Sequence, residues 1–158
     1  MHLYETHLPV ASTETSRAFY IDVVGLTFAY RDPARDIVFL WIGEQRKSML
    51  GLWGPSTTLG TIPHKSHLAF ATSLPELLTR TGQLNTHGVK TYNFAGEPTV
   101  QPSVIGWMPS AQIYFRDVDS HLLELIALLD DAPDPGFIGS LAEWKERTAG
   151  QAGLTAST

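Results

Sequence analysis

The sequence predicts an α+β protein in which one βαβββ module is written twice, and three observations carry that expectation. The order of elements recurs, landmarks keep equal distances in the two halves, and the first strand of each half alternates large apolar with polar or small residues. In order, "LYETHLPV" at 3–10 alternates like a strand, and "STETSRAFYIDVVG" opens with Ser and Thr capping candidates and closes at Gly25 as a helix does. "LTFAYR", "DIVFLWIG" and "KSMLGLW" read as three more strands. After the Gly-, Pro- and Thr-rich "GPSTTLGTIP" the order restarts. "SHLAFA" is a strand, "LPELLTRTGQLNTHG" a helix, and "VKTYNF", "AQIYFRD" and "HLLELIALL" are strands.

The repeat is tested by spacing. Setting Glu5 against His67 sets Glu14 against Glu76 at the same offset and brings Gly25 within one residue of Gly88. Period two gives Leu8 and Val10 one face of the first strand and Glu5, His7 and Pro9 the other; in the second copy Leu68 and Phe70 oppose His67, Ala69 and Ala71. The aliphatic side is expected under each helix, with helices on the outer face and the polar and small residues lining a concave, cupped surface. A single domain over 1–158 follows: a first module at 1–54, a connector at 55–65, a second module at 66–129, and a C-terminal arm at 130–158.

Two stretches stand outside the repeat. "NFAGEPTVQPSVIGWMPS" at 93–110 is long for a link between strands, and with Trp107 and three prolines it reads as a lid or pocket wall. The arm "DDAPDPGFIGSLAEWKERT" offers breaks and then a short amphipathic helix with Ile138, Leu141 and Trp144 at i, i+3 and i+6, able to pack on its own module or on a second subunit. The final "AGQAGLTAST" reads as an unstructured, flexible tail.

Composition narrows the functions. A net charge of −5 without a Lys/Arg run gives no footprint for nucleic acid or an anionic membrane, which leaves small molecules as partners. The absence of cysteine excludes thiolate catalysis, disulfides and Cys-type zinc sites. "MHLYETHLPV" has neither a basic nor a long apolar stretch, and no run approaches the roughly 20 apolar residues of a membrane span, so a cytoplasmic location is expected.

The last strand poses the sharpest question. Glu124 stands between Leu123 and Leu125 in a segment that otherwise reads as core, and a buried carboxylate needs a cation, a hydrogen-bond cluster or an open cavity beside it. The set "LYETHLPV…RAFYIDVVGL", "SHLAFA" and "IYFRDVDSHLLEL" closely resembles the vicinal oxygen chelate superfamily over residues 3–129. That superfamily includes glyoxalase I, fosfomycin-resistance thiol transferases, bleomycin-binding proteins, methylmalonyl-CoA epimerase and extradiol dioxygenases. The resemblance implies a cupped mixed sheet holding one divalent ion, with ligands on the first and last strands of the modules, which here fall on Glu5, His67 and Glu124. In the family the first ligand lies about fourteen residues before the Phe of the helical "FY" pair, so the resemblance implies Glu5, fourteen before Phe19; a shift of two residues would put His7 there instead. The fourth position falls on Gly51, or on Met49 in a slipped register, and neither is a hard ligand. The turn before the last strand is Asp117-Val118-Asp119-Ser120, lacking the family's Pro and its Gly, the residue that takes positive φ cheaply. His121 reads as a solvent-facing residue at the strand start, directed away from Glu124.

By that resemblance the chain is a metal-dependent enzyme acting on a small oxygen-bearing substrate. Three ligands would fix Mn, Fe, Zn, Ni or Mg and leave a corner open for a substrate handled as a metal-stabilised enolate or oxyanion, in lyase or isomerase chemistry. Glu5, Glu124 and His7 are the candidate catalytic groups, and His7, Trp107 and Tyr114 the candidate pocket, with Trp41, Trp53 and Tyr92 further possible lining. A homodimer is implied. The alternative is a metal-free protein sequestering a bulky aromatic compound or antibiotic, as bleomycin-binding relatives do. A fosfomycin-type thiol transferase or an extradiol dioxygenase is a further alternative. The former is disfavoured because no Lys or Arg lies between Lys90 and Arg116, the latter because such dioxygenases prefer two His and one carboxylate.

Overall fold

Ser12 caps helix α1 (Thr13–Asp22) by accepting from the Thr15 amide at 3.2 Å, and Ser73 caps α2 (Leu74–Thr86) through the Glu76 amide at 3.3 Å. A glycine follows each helix with a left-handed backbone, Gly25 at φ 85° and Gly88 at φ 75°, a conformation that a side chain resists. The landmarks matched by spacing therefore do the same backbone job in both modules. The structure, a computed structural model, describes residues 2–57 and 64–155, with side chains through residue 150; positions 58–63 of the connector and 156–158 of the tail lie outside the described residues. The chain forms two compact units, Met1–His67 with Arg116–Leu122, and Leu68–Phe115 with Leu123–Thr158.

The first unit carries a four-stranded sheet in the order β1-β4-β3-β2. β1 (Glu5–Pro9) runs parallel to β4 (Met49–Trp53), which is antiparallel to β3 (Ile37–Trp41), itself antiparallel to β2 (Thr27–Asp32). Period two separates the faces. Leu8, Val38, Leu40, Leu50 and Leu52 are fully buried on the face against which α1 packs, each contributing roughly 1.5–3 kcal/mol. Glu5, His7, Met49, Gly51, Trp53, Phe39 and Trp41 fall on the other face. β2 departs from simple alternation through a bulge between Phe28 and Tyr30. Phe28 thereby turns to the helix side, where the Arg17 guanidinium lies 5.4 Å over its ring, while Tyr30 pairs opposite Phe39 on the open face.

The tip of the hairpin between β8 (Ser110–Arg116) and β9 (Leu122–Leu128) belongs to this first unit and is pinned there by carboxylates. Asp117 accepts from the Tyr20 hydroxyl at 2.8 Å and from the amides of Asp119 at 3.0 Å and His121 at 2.8 Å. Asp119 accepts from the Ser16 hydroxyl at 2.8 Å and the Ala11 amide at 3.0 Å. Burial, then the Asp117 charge, push the Tyr20 hydroxyl far above its ordinary range, so it remains a donor. Ser120 adopts φ 67°, the left-handed backbone that the missing glycine would take without strain. His121 corrects the expectation of a solvent-facing residue, being only 2% exposed. Its Nε2 lies 2.7 Å from the Pro9 carbonyl and its Nδ1 accepts from the Ser66 amide at 3.0 Å, so it clamps the end of β1 to the chain entering β5.

The second unit holds a six-stranded sheet ordered β10-β7-β8-β9-β5, with β6 also on β8. Its elements are β5 (His67–Ala71), β6 (Thr91–Tyr92), β7 (Ser103–Ile105), β8 (Ser110–Arg116), β9 (Leu122–Leu128), β10 (Ile138–Ser140) and α3 (Leu141–Thr155). The α+β class and the mixed sheets are as expected. The 93–110 stretch contains β7, which pairs with both β8 and β10. Two local expectations are corrected. Ile138 lies in β10 at 61% exposure and not on the arm's helix. That helix continues through 149–155, where no structure was expected. Its anchor is Trp144, buried with Leu141, Val104 and Ala111 and donating to Asp131 at 2.8 Å, so the arm packs on its own unit. Among the described residues no helix is long and apolar enough to cross a membrane.

Candidate functional site

The open face of the first unit's sheet gathers rings where a sheet facing water would carry polar groups. The row across the strands reads His7, Gly51, Phe39, Tyr30, with Glu5, Met49 and Trp41 in the next row. A cleft of about 430 Å³ lies over it, lined by Glu5, Ala29, Tyr30, Arg35, Phe39, Trp41 and Met49. Tyr30 stacks near Phe39, with ring centroids 6.5 Å apart and planes at 26°, and it is 58% exposed. Among the described residues, the charged groups lining the cleft are Glu5 and Arg35, and the Arg35 Nε is held by Asp32 at 2.7 Å.

His7 is seated rather than loose. Its ring lies 4.6 Å from that of Trp53 and 5.9 Å from that of Phe39, and its Nε2 stands 3.0 Å from Glu5 Oε1. Gly51 makes this possible, because a Cβ built there would run into the His7 ring. The position expected to be an open fourth corner of a metal site is thus the floor under an imidazole, and the Glu5 carboxylate already has a partner. On the same face Trp53 has a buried Nε1–H that meets no acceptor among the described residues.

Burial holds the His7 imidazole below its ordinary value, against the pull of Glu5 and with Arg35 adding to the depression. A depressed folded pKa means that the unfolded chain takes up the proton first as pH falls through about 6.5. His7 therefore withdraws stability below that pH and is neutral in effect above it. His7→Phe is expected to lose less stability than the unchanged protein between about pH 7 and pH 5 in urea titrations; equal losses would show that His7 titrates as in the unfolded chain.

The other expected site residues are distributed as follows. His67 starts β5 in the first unit, with Nδ1 3.2 Å from the Leu122 carbonyl oxygen. Glu124 belongs to the second unit and is 6% exposed; the Tyr114 hydroxyl is hydrogen-bonded to it. Burial, then the charge and hydrogen bond of Glu124, push that hydroxyl up to about 12, so it stays protonated and donates. A phenol is therefore one answer to what faces the carboxylate in an apolar strand. Tyr92 pairs opposite Tyr114 on β6. Trp107 lies between β7 and β8 at 61% exposure. Donors of the Glu, His and Glu type suit a hard divalent ion. Among the described residues, however, no group of three or more His, Asp or Glu side chains stands together to hold one.

Phe39, Tyr30 and Arg35 escaped the sequence reading. Phe39 and Trp41 were within reach, since "DIVFLWIG" alternates as cleanly as the first strand. Tyr30 was not, because a bulge sets its side.

No family model matches the chain, and no curated protein matches it. Solved structures do. An integron cassette protein from the mobile metagenome of the Halifax Harbour sewage outfall is 27% identical, with a TM-score of 0.68 over 80% of this chain and 98% of that one. A glyoxalase/bleomycin resistance protein/dioxygenase from Nocardioides is 23% identical, with a TM-score of 0.59 over 88% and 90%. TnmS3, an antibiotic-binding protein from Streptomyces, is 19% identical, with a TM-score of 0.61 over 82% and 97%. The fold is the one that the resemblance to the vicinal oxygen chelate superfamily implied.

Proposed function

We propose that this chain, which carries the glyoxalase/bleomycin-resistance/dioxygenase fold, is a binding protein that receives a small planar aromatic compound on the open face of its first unit without needing a metal. The observation behind this reading is the face itself: Tyr30, Phe39 and Trp41 present rings to a cleft of about 430 Å³, and His7 and Trp53 lie on the same face of the sheet. Ring stacking on such a platform adds about 0.5–1.5 kcal/mol per pair beyond area burial, and a cleft of this size suits a ligand of two or three fused rings. The fold similarity to an antibiotic-binding protein is compatible with it. A metal-dependent lyase or isomerase is the other reading that the fold admits; it requires Glu5 to exchange His7 for an ion.

The test is chemical-shift mapping of chelator-treated protein with 2-naphthol. Shifts centred on Tyr30, Phe39 and Trp41 are expected, with affinity falling about tenfold in Phe39→Ala, equivalent to about 1.4 kcal/mol. Shifts elsewhere, or none, overturn the reading.

A further inference from the structure

We infer that the cleft over the first unit's open face selects bipolar planar compounds, ring systems that carry an ammonium group at one end and a carboxylate at the other. This deepens the reading of the open face as an aromatic seat and rests on it. The cleft is lined by three rings, Tyr30, Phe39 and Trp41, and by two opposite charges, Glu5 and Arg35. The charges enter from opposite ends of the sheet. Glu5 begins β1 and pairs with Met49, which pairs with Trp41, whereas Arg35 belongs to the turn at 33–36, beyond the Asp32–Ile37 pair that joins β2 to β3. Trp41 and Ile37 lie at the two ends of β3, about 13 Å apart along the strand, and Phe39 with its neighbour Tyr30 fills the row between. Among the described residues no ion pair joins Glu5 to Arg35, and each has another partner. Asp32 grips Arg35 twice, accepting from its amide at 3.1 Å and from Nε at 2.7 Å. That grip fixes the arginine and leaves its Nη1 and Nη2 groups without a hydrogen bond to a described residue, the pair of donors that matches a carboxylate. Glu5 Oε1 stands 3.0 Å from His7 Nε2, and no hydrogen bond to a described residue engages its Oε2. A ligand anion alone meets Arg35 but is opposed by Glu5, and a cation alone meets the reverse. A molecule carrying both charges gains at both ends while its rings stack between them. The Arg35 and Glu5 side chains are 51% and 35% exposed, so each charge contact is worth a few-fold in affinity and weakens with salt.

The probes are 6-(aminomethyl)-2-naphthoic acid, 2-naphthoic acid, 2-naphthylmethylamine and 2-naphthol, titrated into the chelator-treated full chain with calorimetric detection at about pH 7.5, where the amine and the carboxylate are both charged. In the unchanged protein at low ionic strength the bipolar probe is expected to bind about tenfold more tightly than 2-naphthol, and more tightly than either singly charged probe. Salt at about 0.5 M should erase most of that gain. Arg35→Gln should remove the advantage conferred by the carboxylate and keep that of the ammonium, and Glu5→Gln should do the reverse. A merely structural role for either residue would move all four affinities together. If the unchanged protein binds the bipolar probe no more tightly than 2-naphthol, or no more tightly than a singly charged probe, the bipolar inference is overturned while the aromatic seat stands. Binding of none of the four overturns both. These comparisons use the unchanged protein alone, so they do not depend on the variants folding.

Discussion

Asp117→Ala is expected to lower the stability of the folded chain by about 3–4 kcal/mol, read as a fall in the urea midpoint with unchanged slope. One carboxylate there accepts from three donors, the Tyr20 hydroxyl and the amides of Asp119 and His121, and both Asp117 and Tyr20 are buried. Truncation leaves those donors facing a void, and each unmade buried bond costs about 1–3 kcal/mol. Tyr20→Phe is the control. It removes a single donor and leaves Asp117 with two others, so about 1–2 kcal/mol is expected. If Asp117→Ala costs no more than Tyr20→Phe, the turn is not the pin described above. Against a total stability of about 5–15 kcal/mol the larger loss is severe.

His121→Ala is expected to cost about 2–3 kcal/mol for a related reason. The imidazole bridges the Pro9 carbonyl and the Ser66 amide, which lie far apart in sequence, and its removal strips a partner from each. A cleft of about 370 Å³, lined in part by Pro9, Asp119 and His121, borders the site. Water entering the vacated space keeps the cost below that of Asp117→Ala. Thermal and urea unfolding measure it, and a change within about 0.5 kcal/mol, the range of an ordinary surface substitution, would return His121 to the role of a bystander.

The contrast between these residues and the repeat shows what a sequence can display. The two modules, their capped helices and the buried faces of β1, β3 and β4 were legible because each rests on a local pattern: a period of two, a serine before a helix, a glycine after it. The Asp117 and His121 contacts join residues roughly a hundred positions apart, and no periodicity encodes such a meeting. His121 was misplaced because a polar residue beside a turn reads as exposed unless its distant partners are known. The bulge in β2 hid Tyr30 in another way, by breaking the alternation that assigned strand faces. In the candidate site, Glu5 and His7 were placed on one face from period two alone. That Gly51 is missing a side chain to make room for the His7 ring could be seen only in the pairing of β1 with β4.

Whether the open face binds aromatic ligands by itself or serves a metal is decided most directly by one titration. Chelator-treated protein is titrated with 2-naphthol while the fluorescence of its tryptophans is followed, first without and then with an added divalent ion such as Mn or Zn. Trp41 and Trp53 lie on the face concerned, so bound ligand should quench them. Saturable quenching is expected in both conditions with the same midpoint, and a midpoint about tenfold higher in Phe39→Ala. Quenching that appears only with the ion, and that disappears in Glu5→Ala, His67→Ala and Glu124→Ala alike, would contradict metal-free binding and make the chain a metal-dependent protein.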